Sequence, residues 1–128
     1  MRLLLDTHVF LWYISGDKRL PEKFRDAISE PQNQVYLSVI SIWESLVKHS
    51  LGKLPLPAPP DRFLPRQRNR HGIASLPLDE QSVVHLTTLP AIHRDPFDRI
   101  LVCQAIEHEL TIVTVDDAIC AYTSAVLR

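Results

Sequence analysis

Apolar positions along this chain fall into short continuous runs that are separated by longer segments of mixed polarity. The runs at 2–5, 34–38 and 111–115 are rich in aliphatic side chains. Runs of this length are typical of strands that are buried in a parallel sheet. Shorter runs at 73–76 and 125–127 predict a further short strand and a final edge strand.

Helix signals fill the intervals between these runs. The Asp95-Pro96 pair is typical of a helix start, because aspartate caps the first turn and proline fits it. Ser38 or Ser41 can cap a helix that ends near residue 51, and Asp79 can cap another. Further helices are predicted at about 9–14, 21–29, from 60 onward, 79–89, 96–109 and 117–122.

Strands that alternate with helices predict an α/β fold, a three-layer sandwich with a central, mostly parallel sheet of four to five strands. The chain has 128 residues, enough for one compact domain, which we expect to span 1–128. In such sheets the reactive crevice lies outside the carboxyl ends of the strands. Functional residues are therefore expected directly after the strands.

Composition and charge narrow the class of protein. Hydrophobic residues make up 45% of the chain and charged residues 23%, as in ordinary globular proteins. No apolar run reaches the roughly 18 residues of a membrane span, so we expect no membrane contact. The two cysteines and six histidines show no zinc-binding spacing. A cytoplasmic, reducing environment is expected, and zinc chemistry is not.

Four acids occupy positions where a carboxylate is costly. Asp6 and Asp116 end apolar runs, and Glu44 and Asp98 fall in apolar helical segments. Because helical geometry turns about 100° per residue, Asp98 points to the apolar side of its helix. Buried carboxylates need a neutralising partner.

Each of these acids also has an ordinary structural interpretation. Asp6 and Asp116 could be helix N-caps, and Asp98 could favour the dipole of a first helical turn. Glu44 has a lysine four residues on, which would make a surface ion pair. Capping is also the favoured role of Asp95, with an outer metal role left open.

The joint pattern favours a metal site over any single acid taken alone. Two acids at strand ends and two that face inward from helices can meet in one crevice, where their charges repel. A hard divalent cation, Mg²⁺ or Mn²⁺, would relieve that repulsion.

Several segments of the chain resemble those of a known family. They are Leu4-Leu5-Asp6-Thr7-His8, Ser41-Ile42-Trp43-Glu44, His93-Arg94-Asp95-Pro96-Phe97-Asp98-Arg99 and Thr114-Val115-Asp116. In order and spacing they are similar to those of PIN-domain proteins, and most of all to the VapC-type toxins of bacterial toxin–antitoxin pairs. The segment from His93 to Arg99 is the most specific of them.

This resemblance implies a Mg²⁺- or Mn²⁺-dependent endoribonuclease that hydrolyses RNA and is neutralised by a cognate antitoxin protein. Asp6, Glu44, Asp98 and Asp116 match the family's catalytic and metal-binding acids. The accessory residues that it implies are Asp95, Thr114, Thr7 and Ser38. The chain departs from the family pattern at Asp117, which doubles the last acid, and in its C-terminal segment.

Binding of an RNA backbone needs cations near an acidic crevice, because the net charge of −1 supplies no overall basic field. The candidates are Arg94, Arg99 and Lys48. A cluster at 62–70, with arginines at 62, 66, 68 and 70, could bind RNA, dock an acidic antitoxin segment or face solvent.

Aromatic residues on the first helix, Phe10, Trp12 and Tyr13, could line a dimer or antitoxin interface, and a homodimer is expected. The alternatives to a ribonuclease are a PIN-like nuclease that acts on DNA or structured nucleic acid, and a non-catalytic binding domain whose acids are caps and surface pairs.

Overall fold

A parallel sheet runs through the centre of the molecule. The computed structural model describes residues 1–91, 95–122 and 126–127. Within these ranges the strands form one five-stranded sheet of order β3-β2-β1-β4-β5, and every pairing is parallel. The predicted central parallel sheet is thereby confirmed. The strands are β1 (Arg2–Leu5), β2 (Gln34–Ser38), β3 (Ala74–Leu76), β4 (Thr111–Val113) and β5 (Val126–Leu127).

Helices connect these strands, and several begin where the sequence places a cap. The side chain of Ser38 accepts a hydrogen bond from the Ile40 N–H, and that of Asp79 accepts one from Ser82. Among the described helices, none has both the length and the apolar character needed to cross a membrane. They are α1 (Thr7–Ser15), α2 (Glu22–Ser29), α3 (Val39–Ser50), α4 (Pro60–Arg70), α5 (Glu80–Val84) with a 3-10 turn (His85–Thr87), α6 (Pro96–His108) and α7 (Asp117–Cys120).

The central strand β1 shows why the fold has three layers. Successive side chains of a strand point to opposite faces of its sheet. Leu3 and Leu5 pack with Phe24 of α2 in one buried cluster. Leu4 packs with Leu101 of α6 in a second buried cluster. Both faces of the sheet are therefore covered by helices, as the continuous apolar run of β1 predicts.

The register between β1 and β4 positions the candidate site. Leu5 lies beside Val113, and the backbone N–H of Asp6 donates a 3.0 Å hydrogen bond to the Val113 carbonyl. The residues that follow, Asp6 and Thr114, therefore leave the sheet side by side at its carboxyl end.

Two predicted elements differ from the observed ones. Strand β4 ends at Val113 rather than at 115, because the Thr114 hydroxyl accepts the Asp116 N–H and turns the chain out of the sheet. The helix predicted over 79–89 is α5 followed by the 3-10 turn. The first residue of the predicted edge strand, 125, lies outside the described residues.

Candidate active site at the carboxyl ends of the strands

Asp6 is a buried carboxyl group directly after β1. It is 3% exposed, and its Oδ2 accepts a 2.8 Å hydrogen bond from the Thr114 hydroxyl. Asp6 occupies the N-cap position of α1, as predicted, but in the described part of the chain its side chain makes no N-cap hydrogen bond. The carboxyl group is turned towards the end of β4.

The buried Thr114 hydroxyl links Asp6 to Asp116. While it donates to Asp6, it accepts a 3.0 Å hydrogen bond from the backbone N–H of Asp116. Asp116 in turn caps α7, because its Oδ1 accepts a 2.9 Å bond from the Ala118 N–H. The capping interpretation of Asp116 is thus confirmed. A cap leaves the other lone pairs of a carboxylate to other partners.

Glu44 is the second deeply buried carboxyl group, at 3% exposure on α3. Its Oε1 accepts a 2.8 Å hydrogen bond from the Thr7 hydroxyl, which itself lies 2.8 Å from the hydroxyl of Ser41. Its Oε2 lies 2.7 Å from Nζ of Lys48. The predicted pair with Lys48 is confirmed, but with only 4% of the Glu44 side chain exposed it is not a surface pair.

Asp6 lies in surroundings that disfavour its charged form. Burial raises the pKa of Asp6 above its ordinary value of 3.8, and the charge of Glu44 acts in the same direction. The Thr114 hydrogen bond and the charge of His8 act in the opposite direction. A nearby positive charge would therefore stabilise the ionised form of Asp6.

Asp98 lies in the first turn of α6 and is 7% exposed. Asp95 caps that turn, since its Oδ1 accepts the N–H groups of Phe97 at 2.9 Å and of Asp98 at 3.4 Å. The Phe97 ring contacts the Trp43 ring edge to face at 5.0 Å. This contact places the start of α6 beside α3 at Trp43, the residue that precedes Glu44.

The four predicted acids border one end of the sheet without forming a preassembled metal cluster. Over residues 1–91, 95–122 and 126–127, no group of three or more His, Cys, Asp or Glu side chains is placed to hold a metal ion. Hydrogen bonds and an ion pair instead engage the acids: Thr114 at Asp6, Thr7 and Lys48 at Glu44, and the α7 backbone at Asp116. The expected convergence of all four acids is not seen in these residues.

Ser38 supports the scaffold rather than the acids. Its hydroxyl donates to Oε1 of Gln104 and accepts the Ile40 N–H. Gln104 is fully buried in α6, and its Nε2 donates a 3.2 Å hydrogen bond to the Pro77 carbonyl. The expected hydroxyl support by Ser38 for the acids is therefore wrong. Instead, Gln104 fixes α6 against the ends of β2 and β3.

Gln104 and Ser41 were not anticipated from the sequence. A glutamine among Leu101, Val102, Cys103 and Ala105 is a polar residue in an apolar helical stretch, and this is the signal that could have identified it. Ser41 was considered only as a helix cap, and its contact with Thr7 depends on the packing of α1 against α3.

The candidate RNA-binding cations differ in their surroundings. Arg99 is half-buried, and its Nε is buried without a hydrogen-bond partner among the described residues. Lys48 is paired with Glu44. Arg94 lies outside the described residues. Arg68 of the basic cluster donates a 2.9 Å hydrogen bond to the Ile73 carbonyl, and the arginines at 62, 66 and 70 are exposed.

A groove of about 670 Å³ lies between α1, α4 and the connector after α3, and Lys48, the partner of Glu44, is part of its lining. Apolar side chains such as Trp12, Leu56 and Phe63 line it, while Phe10 is buried in the core and Tyr13 packs on His71. Its charged lining comprises the cations Arg19, Lys48, Lys53 and Arg70, together with Asp17, which pairs with Arg19. The groove is thus apolar with a positive border.

Two solved structures share this architecture. The chain is similar to one in the crystal structure of VapBC2 from Rickettsia felis bound to a DNA fragment from their promoter, with a TM-score of 0.72 and 14% identity over 100% of this chain and 98% of that one. It is also similar to a chain of a toxin–antitoxin complex from Klebsiella pneumoniae, with a TM-score of 0.61 and 18% identity over 98% of this chain and 96% of that one. At these identities the likeness concerns the fold.

Sequence comparison adds a relative and a family. The chain is 33% identical over 61 residues to Ribonuclease VapC16 of Mycobacterium tuberculosis (strain ATCC 25618 / H37Rv). The match covers 48% of this chain and 43% of the relative, so it spans less than half the length of that protein. The sequence model of the PIN domain matches residues 3–124. Because this match spans nearly the whole sequence, the chain belongs to the PIN domain family.

Proposed function

We propose that this protein is a divalent-metal-dependent endoribonuclease and the toxin of a toxin–antitoxin pair. The observation that carries the proposal is the pair of buried carboxyl groups, Asp6 and Glu44, near the carboxyl ends of the strands of a PIN domain. The similarity to a ribonuclease and the shared fold with a chain of a toxin–antitoxin complex support it. We propose that residues 1–128 act as a single domain.

The donor chemistry of the site fits Mg²⁺ or Mn²⁺. Both are hard ions that prefer carboxylate oxygen ligands, and the site offers carboxylates and hydroxyls. The pKa of Asp6 is raised by burial and by Glu44, a cost that a cation held by both would relieve. Once bound, such an ion would supply Lewis-acid stabilisation of a phosphate oxygen and a water of lowered pKa.

The residues of the chain divide into ligands and positioning groups. Asp6, Glu44, Asp98 and Asp116 are the acids that would hold the ion. The Thr114 hydroxyl orients the Asp6 carboxyl group, and the Thr7 hydroxyl orients that of Glu44. Asp95 acts through the first turn of α6, which it caps and which carries Asp98.

Cations beside the acids would hold the phosphates of the RNA. Arg99 follows Asp98 directly, and a guanidinium suits the two oxygens of a phosphate. Lys48 would also bind a phosphate if its ammonium group released the Glu44 carboxylate. Arg94, in the same sequence motif, is proposed for the same task.

The groove that Lys48 helps to line is proposed as the docking surface of the antitoxin. Its apolar lining and its cations suit a segment that is both apolar and acidic. A homodimer and a cytoplasmic location complete the proposal. Charge reversal by Lys53→Glu should weaken capture of the co-expressed antitoxin and leave RNA cleavage by the isolated protein intact.

The decisive experiment compares the same substitution, aspartate to asparagine, at two acids. Asp98→Asn should lower RNA cleavage and Mn²⁺ affinity by about 100-fold or more, because loss of a ligand should exceed the 10–100-fold effects of outer-shell partners. Asp117→Asn, at an exposed acid, is the matched control and should change little. If Asp98→Asn kept full cleavage activity, the proposed site would be wrong. Preferential cleavage of DNA would show that the substrate is DNA rather than RNA.

A further inference from the structure

Trp43 is an exposed aromatic side chain at the edge of the candidate active site. The residue lies on α3 and is 57% exposed. A tryptophan has a large apolar surface and normally gains stability by burial. Exposure of this extent beside buried acids suggests that the ring serves a ligand.

The Trp43 ring packs on an aromatic neighbour. The rings of Trp43 and Phe97 meet at 5.0 Å with an interplanar angle of 78°. An edge-to-face contact occupies at most one face of the indole. The ring is therefore held in place with much of its surface open, which reduces the entropy lost when a flat partner stacks on it.

The position of Trp43 ties it to the acids on both helices. It precedes Glu44 in α3, and the Phe97 ring that holds it precedes Asp98 in α6. A nucleic-acid strand with a phosphate at these acids would pass the indole with an adjacent nucleotide.

We propose that Trp43 stacks on an unpaired base next to the phosphate that is cut, and so selects single-stranded RNA. This inference rests on the proposed ribonuclease function. Bases within a duplex are stacked on both sides, whereas an unpaired base can swing onto an aromatic ring. Stacking does not read base edges, so the selection is for strandedness rather than for sequence.

The first experiment measures binding without cleavage. The chain has two tryptophans, so Trp12→Phe leaves Trp43 as the single indole fluorophore. In EDTA, a single-stranded oligoribonucleotide should quench this fluorescence saturably, and the matched duplex should quench it far less. Equal quenching by both strand forms, or none by either, would overturn the proposal.

The second experiment tests cleavage with a matched control. Trp43→Ala should lower kcat/KM on single-stranded RNA about 5- to 150-fold, the equivalent of about 1–3 kcal/mol per stacked base. Trp43→Phe should keep most of the activity. Val84→Ala removes an equally exposed apolar side chain on α5 and should change nothing.

Abasic substrates separate stacking from general damage. Substrates that each lack one base beside the cut are compared. The wild-type protein should cleave one of them more slowly than the others, and Trp43→Ala should abolish this dependence on the position of the missing base. The same dependence in both proteins would overturn the proposal. It would also be overturned if Trp43→Ala kept that dependence and only converted a dimer to a monomer, because Trp43 would then be a contact between two copies.

The outcomes distinguish this inference from the function on which it rests. Quenching by single-stranded RNA without any cleavage would leave the stacking site standing and remove the nuclease. Cleavage of RNA without quenching would leave the nuclease function standing and remove the stacking site.

Discussion

Lys48 Nζ lies 2.7 Å from Oε2 of Glu44, so an ammonium group already pairs with one of the buried carboxyl groups of the site. The Lys48 side chain is 35% exposed while that of Glu44 is 4% exposed. Lys48 can therefore swing into solvent, whereas Glu44 cannot leave. A divalent cation that binds Glu44 competes with this ammonium group.

Lys48→Met tests that competition. Without the ammonium group, Glu44 keeps the Thr7 hydrogen bond but loses its charge partner, and we expect unfolding free energy to fall by about 1–3 kcal/mol in EDTA. Saturating Mn²⁺ should restore most of the loss. Urea unfolding with and without Mn²⁺ measures both values, with Lys53→Met from the groove as control. An equal loss under both conditions would contradict the competition.

Asp6→Asn should make the metal-free protein more stable at neutral pH. Because the folded pKa of Asp6 is raised above 3.8, the unfolded chain releases this proton first, and stability falls as pH rises from about 3.8 through the folded pKa. Asparagine removes this dependence and still accepts the Thr114 bond. We expect a gain of about 0.5–2 kcal/mol at pH 7 that disappears near pH 3. A less stable variant at pH 7 in EDTA would refute this account.

Thr114→Val should weaken Mn²⁺ binding about 10- to 100-fold, the usual effect of losing an outer-shell partner. Valine has the same shape but cannot donate to Asp6 or accept from the Asp116 N–H. Thr114→Ser keeps the hydroxyl and should bind nearly as well as the wild type. Titration calorimetry compares the two, and equal affinities would show that the hydroxyl does not position Asp6.

Asp95 should respond to substitution as a cap. Asp95→Ala removes the acceptor for two N–H groups at the start of α6 and should cost about 0.5–2 kcal/mol. Asp95→Asn keeps an acceptor and should cost much less. Thermal unfolding of both variants gives the comparison, and an equal cost would assign the effect to charge rather than to capping.

Glu109 ends α6 in the left-handed conformation, with φ 54°. Non-glycine residues adopt this conformation at a cost of about 1–2 kcal/mol. Glu109→Gly should therefore stabilise the protein by a good part of that amount and leave RNA cleavage unchanged. Gly52→Ala, the opposite change at φ 73°, should destabilise it. Chemical unfolding of both variants checks the signs.

Local sequence patterns are enough to predict most helices, strands and short-range contacts of this protein. Apolar runs specify the strands because a sheet covered on both faces needs apolar side chains on both faces. The cap at Asp95 and the Glu44–Lys48 pair were also predictable, since their partners lie two to four residues away.

Which groups meet at the site depends instead on how distant segments pack in three dimensions. Thr114 reaches Asp6 across 108 positions of the chain, Thr7 reaches Glu44 across 37, and Ser38 reaches Gln104 across 66. No local periodicity encodes such pairs, because they follow from strand register and helix packing. The same packing turned Ser38 away from the acids and left Asp6, Glu44 and Asp116 engaged with separate partners, because a buried carboxylate needs donors and the fold brings different donors to each.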